Sequence, residues 1–262
     1  MYELQTEQAR LLIDEKMGGR ANLWQIADLQ VLKPMVDQAV IGGWYAMAPW
    51  AGRISNNKID FQGKSYLQEK NLEQWAIHGT VFYAEGEVKQ SAKNKLEIRH
   101  QTTDSWISPG EIVQEWQIGD DYLFTSIEIR TFAKSFPASC GWHPWFLREL
   151  GRGKPAQYKV EATKKYQRGT DYLPTGKLVE VGSGPFDDAL VVPSGKASIL
   201  WPEALEIKVE TNCETYVLYD LPEDSFCLEP SSGYPDQINR DPLIVTKENP
   251  LRIESTWRAR LL

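Results

Sequence analysis

Only three histidines occur in the 262-residue chain, His78, His100 and His143, and their scarcity gives each one weight. His143 lies in Gly141-Trp142-His143-Pro144-Trp145-Phe146. The proline that follows restricts it to extended backbone, and the flanking aromatics give it an apolar wall. An imidazole held this way suits a general acid, because its ordinary pKa lies near neutral pH. The alternative is a core histidine satisfied by a backbone carbonyl. His78, in Trp75-Ala76-Ile77-His78-Gly79, precedes a glycine that lets a ligand or another backbone come close. It reads either as a hydrogen-bond partner of a polar substrate or as a turn histidine. His100 ends the alternating run Leu96 to His100 and reads as a solvated or cross-strand residue.

Glu229 follows Cys227 and Leu228 at the end of a strand-like run and precedes Pro230. Burial there would raise its pKa and make it a better base; otherwise it caps the turn that follows. Arg53, after Pro49-Trp50-Ala51-Gly52, can fork onto hydroxyl or carboxylate oxygens or form a surface ion pair. Asp187 and Asp188 follow Phe186; either one carboxylate points inward to bind hydroxyls, or the pair is a loop turn with both exposed. There is no P-loop, no GxSxG elbow, no HExxH pair and no GxGxxG opening a helix. Nothing in the spacing indicates a metal site.

The elements that must hold these residues read as strands. Helical periodicity is weak, period-two alternation is common, and turn signals recur at short spacing. Arg10 to Asp14, Met17-Gly18-Gly19 and Ala21 to Ile26 read as strand, turn and strand. Ile112 to Ile118 and Tyr122 to Thr131 flank Gly119-Asp120-Asp121 as a second hairpin. Tyr158 to Thr163, Ala197 to Trp201, Leu205 to Val209, Thr215 to Tyr219 and Leu251 to Arg258 continue the pattern, and Glu180 to Pro185 is the most loop-like stretch. Fifteen prolines discourage long helices. Strands and helices do not alternate, which disfavours Rossmann and α/β-barrel folds. The prediction is one all-β domain over residues 1–262, two large packed antiparallel sheets whose loops carry the site.

Composition narrows the partners. A net charge of −7, from 29 Lys+Arg against 36 Asp+Glu, disfavours a nucleic-acid or anionic-membrane surface, since both need clustered positive charge. Three cysteines with no CxxC pair fit a reducing cytoplasm better than a disulfide framework. No apolar run approaches a membrane span, and the N-terminus lacks the basic-then-apolar layout of a signal peptide. Ten tryptophans serve either to stack on a ligand such as a sugar or to fill a large β core.

Taken in order, Pro49-Trp50-Ala51-Gly52-Arg53-Ile54, Ile77-His78-Gly79, Gly141-Trp142-His143-Pro144-Trp145-Phe146, Phe186-Asp187-Asp188 and Leu228-Glu229-Pro230 with Pro235-Asp236 and Asn239 resemble the aldose 1-epimerase (galactose mutarotase) family. The resemblance runs over nearly the whole chain. It implies a galactose mutarotase-like β-supersandwich that binds a small-molecule sugar in an open groove. It further implies Glu229 as general base, His143 as general acid, and Arg53, His78 and Asp187 as holders of sugar hydroxyls, with no metal, nucleotide or other cofactor. Asp187 is preferred to Asp188 because it directly follows Phe186. Trp50, Trp142 or Trp145 would stack on the sugar or pack the core. The pattern departs at Gly52, where the family often has Asn, and at Thr215 to Tyr219, which lacks a Gln that some members have. The competing expectations are a hexose-6-phosphate 1-epimerase, for which only Arg53 and Lys58 supply positive charge near the first motif, and a carbohydrate-binding module without catalysis.

Overall fold

The alternating segments of the sequence form strands that bury one face. Ala9–Asp14 and Lys95–Gln101 bury every second residue, as a pleat with one dry side requires. The computed structural model describes residues 1–262 and places further strands at Arg20–Ile26, Gly110–Ile118, Tyr122–Thr131, Lys196–Trp201, Leu205–Thr211, Thr215–Tyr219 and Leu251–Leu261. Helix is confined to Gln237–Arg240 and three single 3-10 turns, and Glu180 to Pro185 contains no strand.

Two large antiparallel sheets carry the architecture. The larger runs Tyr2–Gln5, Ala9–Asp14, Arg20–Ile26, Trp44–Met47, Gly141–Leu147, Ser225–Ser231, Thr215–Tyr219, Asp187–Val191, Lys164–Arg168 and Pro174–Val179, with Leu29–Gln30 added to the third strand. The second runs Gln157–Val160, Lys196–Trp201, Leu205–Thr211, Leu251–Leu261, Tyr122–Thr131, Gly110–Ile118, Lys95–Gln101 and Glu87–Ala92. Between them lies a continuous apolar core in which tryptophans meet edge to face. Trp44 of the first sheet sits 4.7 Å from Trp257 of the second, and Trp142 4.7 Å from Trp116. Edge-to-face pairs add to the area that large rings bury. Trp50 stacks on Trp106 at 6.0 Å in the same core. Trp50 and Trp142 are therefore packing residues rather than a sugar platform.

Three strands at the centre of the larger sheet have no alternating signature. Trp44–Met47 and Ser225–Ser231 are buried at every position, and Gly141–Leu147 at all but its last. Burial on both faces erases period two, and Gly141, Pro144 and Pro230 are residues that normally speak against a central strand. The sheet accommodates the prolines by an interruption. The pairing of Gly141–Leu147 with Ser225–Ser231 joins Gly141 to Ser231, lapses, and resumes at Trp145 with Cys227. Pro144 and Pro230, which have no N–H to give, both lie in the gap.

The expectation that loops carry the site is corrected here. His143, Glu229 and Asp187 lie on strands of the larger sheet, and only Arg53 and His78 lie on loops. His100 takes the cross-strand one of its two expected roles: it is buried, and its Nε2 lies 3.0 Å from Gln114 Nε2 on the neighbouring strand.

Candidate active site

Cross-strand register assembles the site. Tyr45 pairs with His143, and the interrupted register sets His143 level with Glu229, because both outer pairs sum to the same residue number as that pair. Glu229 pairs with Val217, and Val217 with Ala189. The next row on the same face is Trp145, Cys227, Tyr219 and Asp187, since residues two apart point the same way. The core-facing positions of these strands carry Phe146, Leu228 and Leu218. Both aspartates line the cleft, Asp187 in the site row and Asp188 paired with Leu218 and buried in an ion pair with Lys165 at 2.9 Å.

Two loops close the cleft over this face. The Arg53 loop and the His78 loop are zipped together: the His78 N–H donates to the Gly52 carbonyl at 3.0 Å, and the Gly52 N–H donates to His78 Nδ1 at 3.3 Å. An accepting Nδ1 places the proton of the neutral ring on Nε2. Gly52 has φ +72°, and a Cβ there would meet the Pro235 ring at 2.9 Å. The glycine is thus required by the close approach of the Pro235-Asp236 segment. Buried Asp236 accepts from the Ser55 N–H at 2.9 Å and the Ser55 hydroxyl at 3.0 Å. Asn239 donates to the Lys58 carbonyl at 3.0 Å and accepts from the Asp60 N–H at 3.0 Å. The segment after Glu229 therefore fixes the loop that carries Arg53.

The cleft has a volume of about 250 Å³ and is lined by all five residues singled out in the sequence, Arg53, His78, His143, Asp187 and Glu229. That is just below the roughly 300–1,000 Å³ of pockets for drug-sized ligands and suits a single sugar ring. His143 Nε2 lies 3.3 Å from Glu229 Oε1, and both residues are buried. The His143 ring lies between Tyr45 at 4.7 Å and Trp145 at 5.6 Å, near parallel to both, with the His78 ring edge-on at 4.9 Å. Of the three tryptophans considered for stacking, Trp145 alone lines the cleft.

Several lining residues carried no local signal. Arg168, on Lys164–Arg168, forms an ion pair with Asp187. Its guanidinium carbon sits 5.5 Å from the centre of the Tyr172 ring, and that of Arg53 sits 5.1 Å from the same ring. Arg53 therefore has an arginine neighbour in the cleft, a feature the sequence reading did not find. Arg53 Nε is buried without a hydrogen-bond partner. Lys58 is paired with Asp60 instead.

Burial controls the ionisation of the central pair. It pushes the Glu229 carboxyl well above the usual carboxylate range, Asp187 pushes it further, and Arg53 opposes the rise. Burial holds His143 well below its ordinary value, and the Arg20 charge adds to this. His78 is lowered by burial, then by His143 and Arg53. Both members of the pair are thus driven toward their neutral forms, with one proton to share across 3.3 Å. The His143, Cys227 and Glu229 donor atoms lie within 4.8 Å of one another, a set of metal-binding type. Burial raises the Cys227 thiol well above its usual range, which keeps it protonated in the unliganded cleft.

An antiparallel double sheet with a polar cleft on the outer face of its larger sheet is the galactose mutarotase-like fold. The family model described as Aldose 1-epimerase matches residues 43–249, and the chain belongs to that family. A candidate aldose 1-epimerase from Escherichia coli K12 superposes with a TM-score of 0.87 at 20% identity, over 100% of this chain and 99% of that one. A galactose mutarotase-like protein from Clostridium acetobutylicum gives 0.85 at 13% identity, over 99% and 95%. The GalM/aldose epimerase homologue from C. elegans gives 0.83 at 17%, over 99% and 98%. In sequence, the uncharacterized protein YphB of Escherichia coli (strain K12) is 22% identical over 151 residues, 56% of this chain and 51% of that protein. The match spans about half the length of that curated relative.

Proposed function

We propose that the chain is an aldose 1-epimerase that interconverts the α and β anomers of a free aldose, with Glu229 as general base and His143 as general acid. The observation that carries this reading is the buried 3.3 Å contact between His143 and Glu229 in a cleft of monosaccharide size. Ionised Glu229 takes the proton of the C1 hydroxyl while protonated His143 gives its Nε2 proton to the ring oxygen. The C1–O5 bond breaks, the C1 carbonyl forms, and the pair is left as carboxylic acid and neutral imidazole. Rotation about C1–C2 presents the other carbonyl face, and the reverse transfers close the ring. Burial favours the neutral pair, which is the proton distribution of the open-chain stage.

Arg53, His78 and Asp187 hold sugar hydroxyls in this scheme, Asp187 with one carboxylate oxygen engaged by Arg168. Residues 1–262 act as one sugar-binding unit, and the three unpaired, buried cysteines accord with a reducing cytoplasm. Polarimetry over a panel of free hexoses and pentoses tests the reading. Glu229→Gln and His143→Asn are each expected to lower the mutarotation rate by about 10²–10⁴-fold with the melting transition retained. Full activity in both folded variants would overturn the assignment. A phosphorylated aldose is the second reading, favoured by the juxtaposition of Arg53 and Arg168 about Tyr172. Higher kcat/KM for the 6-phosphate than for the free sugar would select it.

A further inference from the structure

Arg20 is a fully buried guanidinium with no carboxylate within ion-pair distance. Such a charge is costly to bury. Its hydrogen bonds all go to backbone carbonyls: Gly42 at 2.6 Å, Phe82 at 3.2 Å and Ala39. The first and last lie in the segment that supplies Gln38, Val40 and Ile41 to the cleft wall. Val40 in turn accepts from the Tyr45 hydroxyl at 3.0 Å and from Trp145 Nε1 at 3.2 Å. The guanidinium carbon lies 4.3 Å from the centre of the Tyr45 ring, and Tyr45 stacks at 4.7 Å on His143. Arg20, Tyr45, His143 and Trp145 thus form one stack, with the cation at its closed end.

Resting on the epimerase reading, we propose that Arg20 is a positioning residue of the active site: through Tyr45 it places a fixed positive charge behind His143 while pinning the cleft wall formed by residues 38–41. The cation opposes protonation of the imidazole from the side away from the sugar. Protonated His143 is thereby a stronger acid toward the ring oxygen. The other groups that face His143 are Glu229 and Cys227 from the strand Ser225–Ser231, Tyr45 from Trp44–Met47, and His78 from its loop. Arg53 and Asp187 act on Glu229 with opposite sign. Of the cations in this set, Arg20 lies beyond Tyr45 at the buried end of the stack, and Arg53 belongs to the cleft. Arginine is suited to the position because its fork serves several carbonyls while its plane lies on an aromatic ring. Lysine would keep the charge and lose the fork.

The test is a titration of the His143 ring by nitrogen-15 NMR on the full chain without sugar, the signal assigned with His143→Gln. Two neutral variants, Arg20→Gln and Arg20→Met, are compared with Arg20→Lys, so that one neutral form failing to fold leaves the other. In the neutral variants His143 is expected to protonate at a pH roughly one unit higher than in the wild type. In Arg20→Lys it shifts by no more than a few tenths of a unit, although KM rises because the wall is no longer pinned. An unchanged His143 titration in a folded neutral variant overturns the proposal. So does an equal rise in Arg20→Lys, which would make Arg20 a structural pin alone. The titration needs no turnover, so its outcome is separate from that of the polarimetry: wild type inactive on every sugar strikes the epimerase reading and leaves the electrostatic result standing.

Discussion

A carboxyl and an imidazole buried together pull stability in opposite pH directions. Glu229 has its folded pKa raised by burial, so the unfolded chain gives up this proton first as pH rises. Its contribution is intact below the ordinary carboxylate pKa and is lost as pH climbs toward the folded value. His143 is lowered, so its contribution is intact above the ordinary imidazole pKa and is lost as pH falls toward the folded value. At neutral pH the Glu229 penalty remains while the His143 penalty is absent. Glu229→Gln is therefore expected to be inactive yet more stable than wild type at about pH 7, by roughly 1–2 kcal/mol, or a few degrees in Tm. The gain should vanish near pH 4, where the unfolded carboxyl is itself protonated. Calorimetric melts of both proteins at the two pH values decide this. An equal Tm difference at both would mean that the carboxyl does not titrate across that range.

At the scale of elements, the site depends on segments that bring distant stretches of chain into register. The Asp236 hydrogen bonds to Ser55, two residues beyond Arg53, are its main tie between the Glu229 strand and the first loop. Asp236→Ala strands the half-buried Ser55 N–H and releases Arg240, paired with Asp236 at 3.1 Å. The expected cost is about 2–4 kcal/mol. KM should rise at least tenfold with a smaller fall in kcat, since Arg53 moves and the acid–base pair does not. Steady-state kinetics beside a thermal melt separates the two effects, and an unchanged KM would leave the tie a stability device only. The same element shows what could be read from sequence. Pro235-Asp236 and Asn239 were recognisable as a motif, but their role as a clamp was not, because it lies in hydrogen bonds across about 180 residues. The half-buried strands were legible through their alternation. Trp44–Met47, Gly141–Leu147 and Ser225–Ser231 lacked that alternation, because both their faces are buried, and Gly141, Pro144 and Pro230 argue against a central strand. The five residues chosen from the sequence do converge on one cleft. Arg168 and Tyr219, which also line it, and Tyr45 and Arg20, buried behind His143, went unnoticed because only the pairing of distant strands brings them near.

Across the whole molecule, the two faces of the larger sheet do different work. Its outer face carries the proposed acid–base pair, and its inner face is clamped to the second sheet by tryptophans. Trp44 and Tyr45 are neighbours in sequence, yet one packs 4.7 Å from Trp257 in the core and the other 4.7 Å from His143 in the cleft. The strand between them is thin, so loosening the core can reach the site only by displacing backbone that two other strands also hold. Trp257 stands on the far side of this clamp, on Leu251–Leu261, which pairs with both Tyr122–Thr131 and Leu205–Thr211. Its indole N–H has no hydrogen-bond partner. Trp257→Phe thus removes volume without stranding a polar partner and should cost about 1–3 kcal/mol. For a chain of this length that lowers Tm by roughly 2–12 °C. Trp257→Ala leaves a far larger void and should cost about 3–5 kcal/mol. If the outer face is buffered as this architecture implies, Trp257→Phe assayed well below its Tm keeps the wild-type kcat and pH profile. A kcat loss in proportion to the lost stability would instead mean that the His143–Glu229 geometry is set by the core and not by the local register of the three central strands.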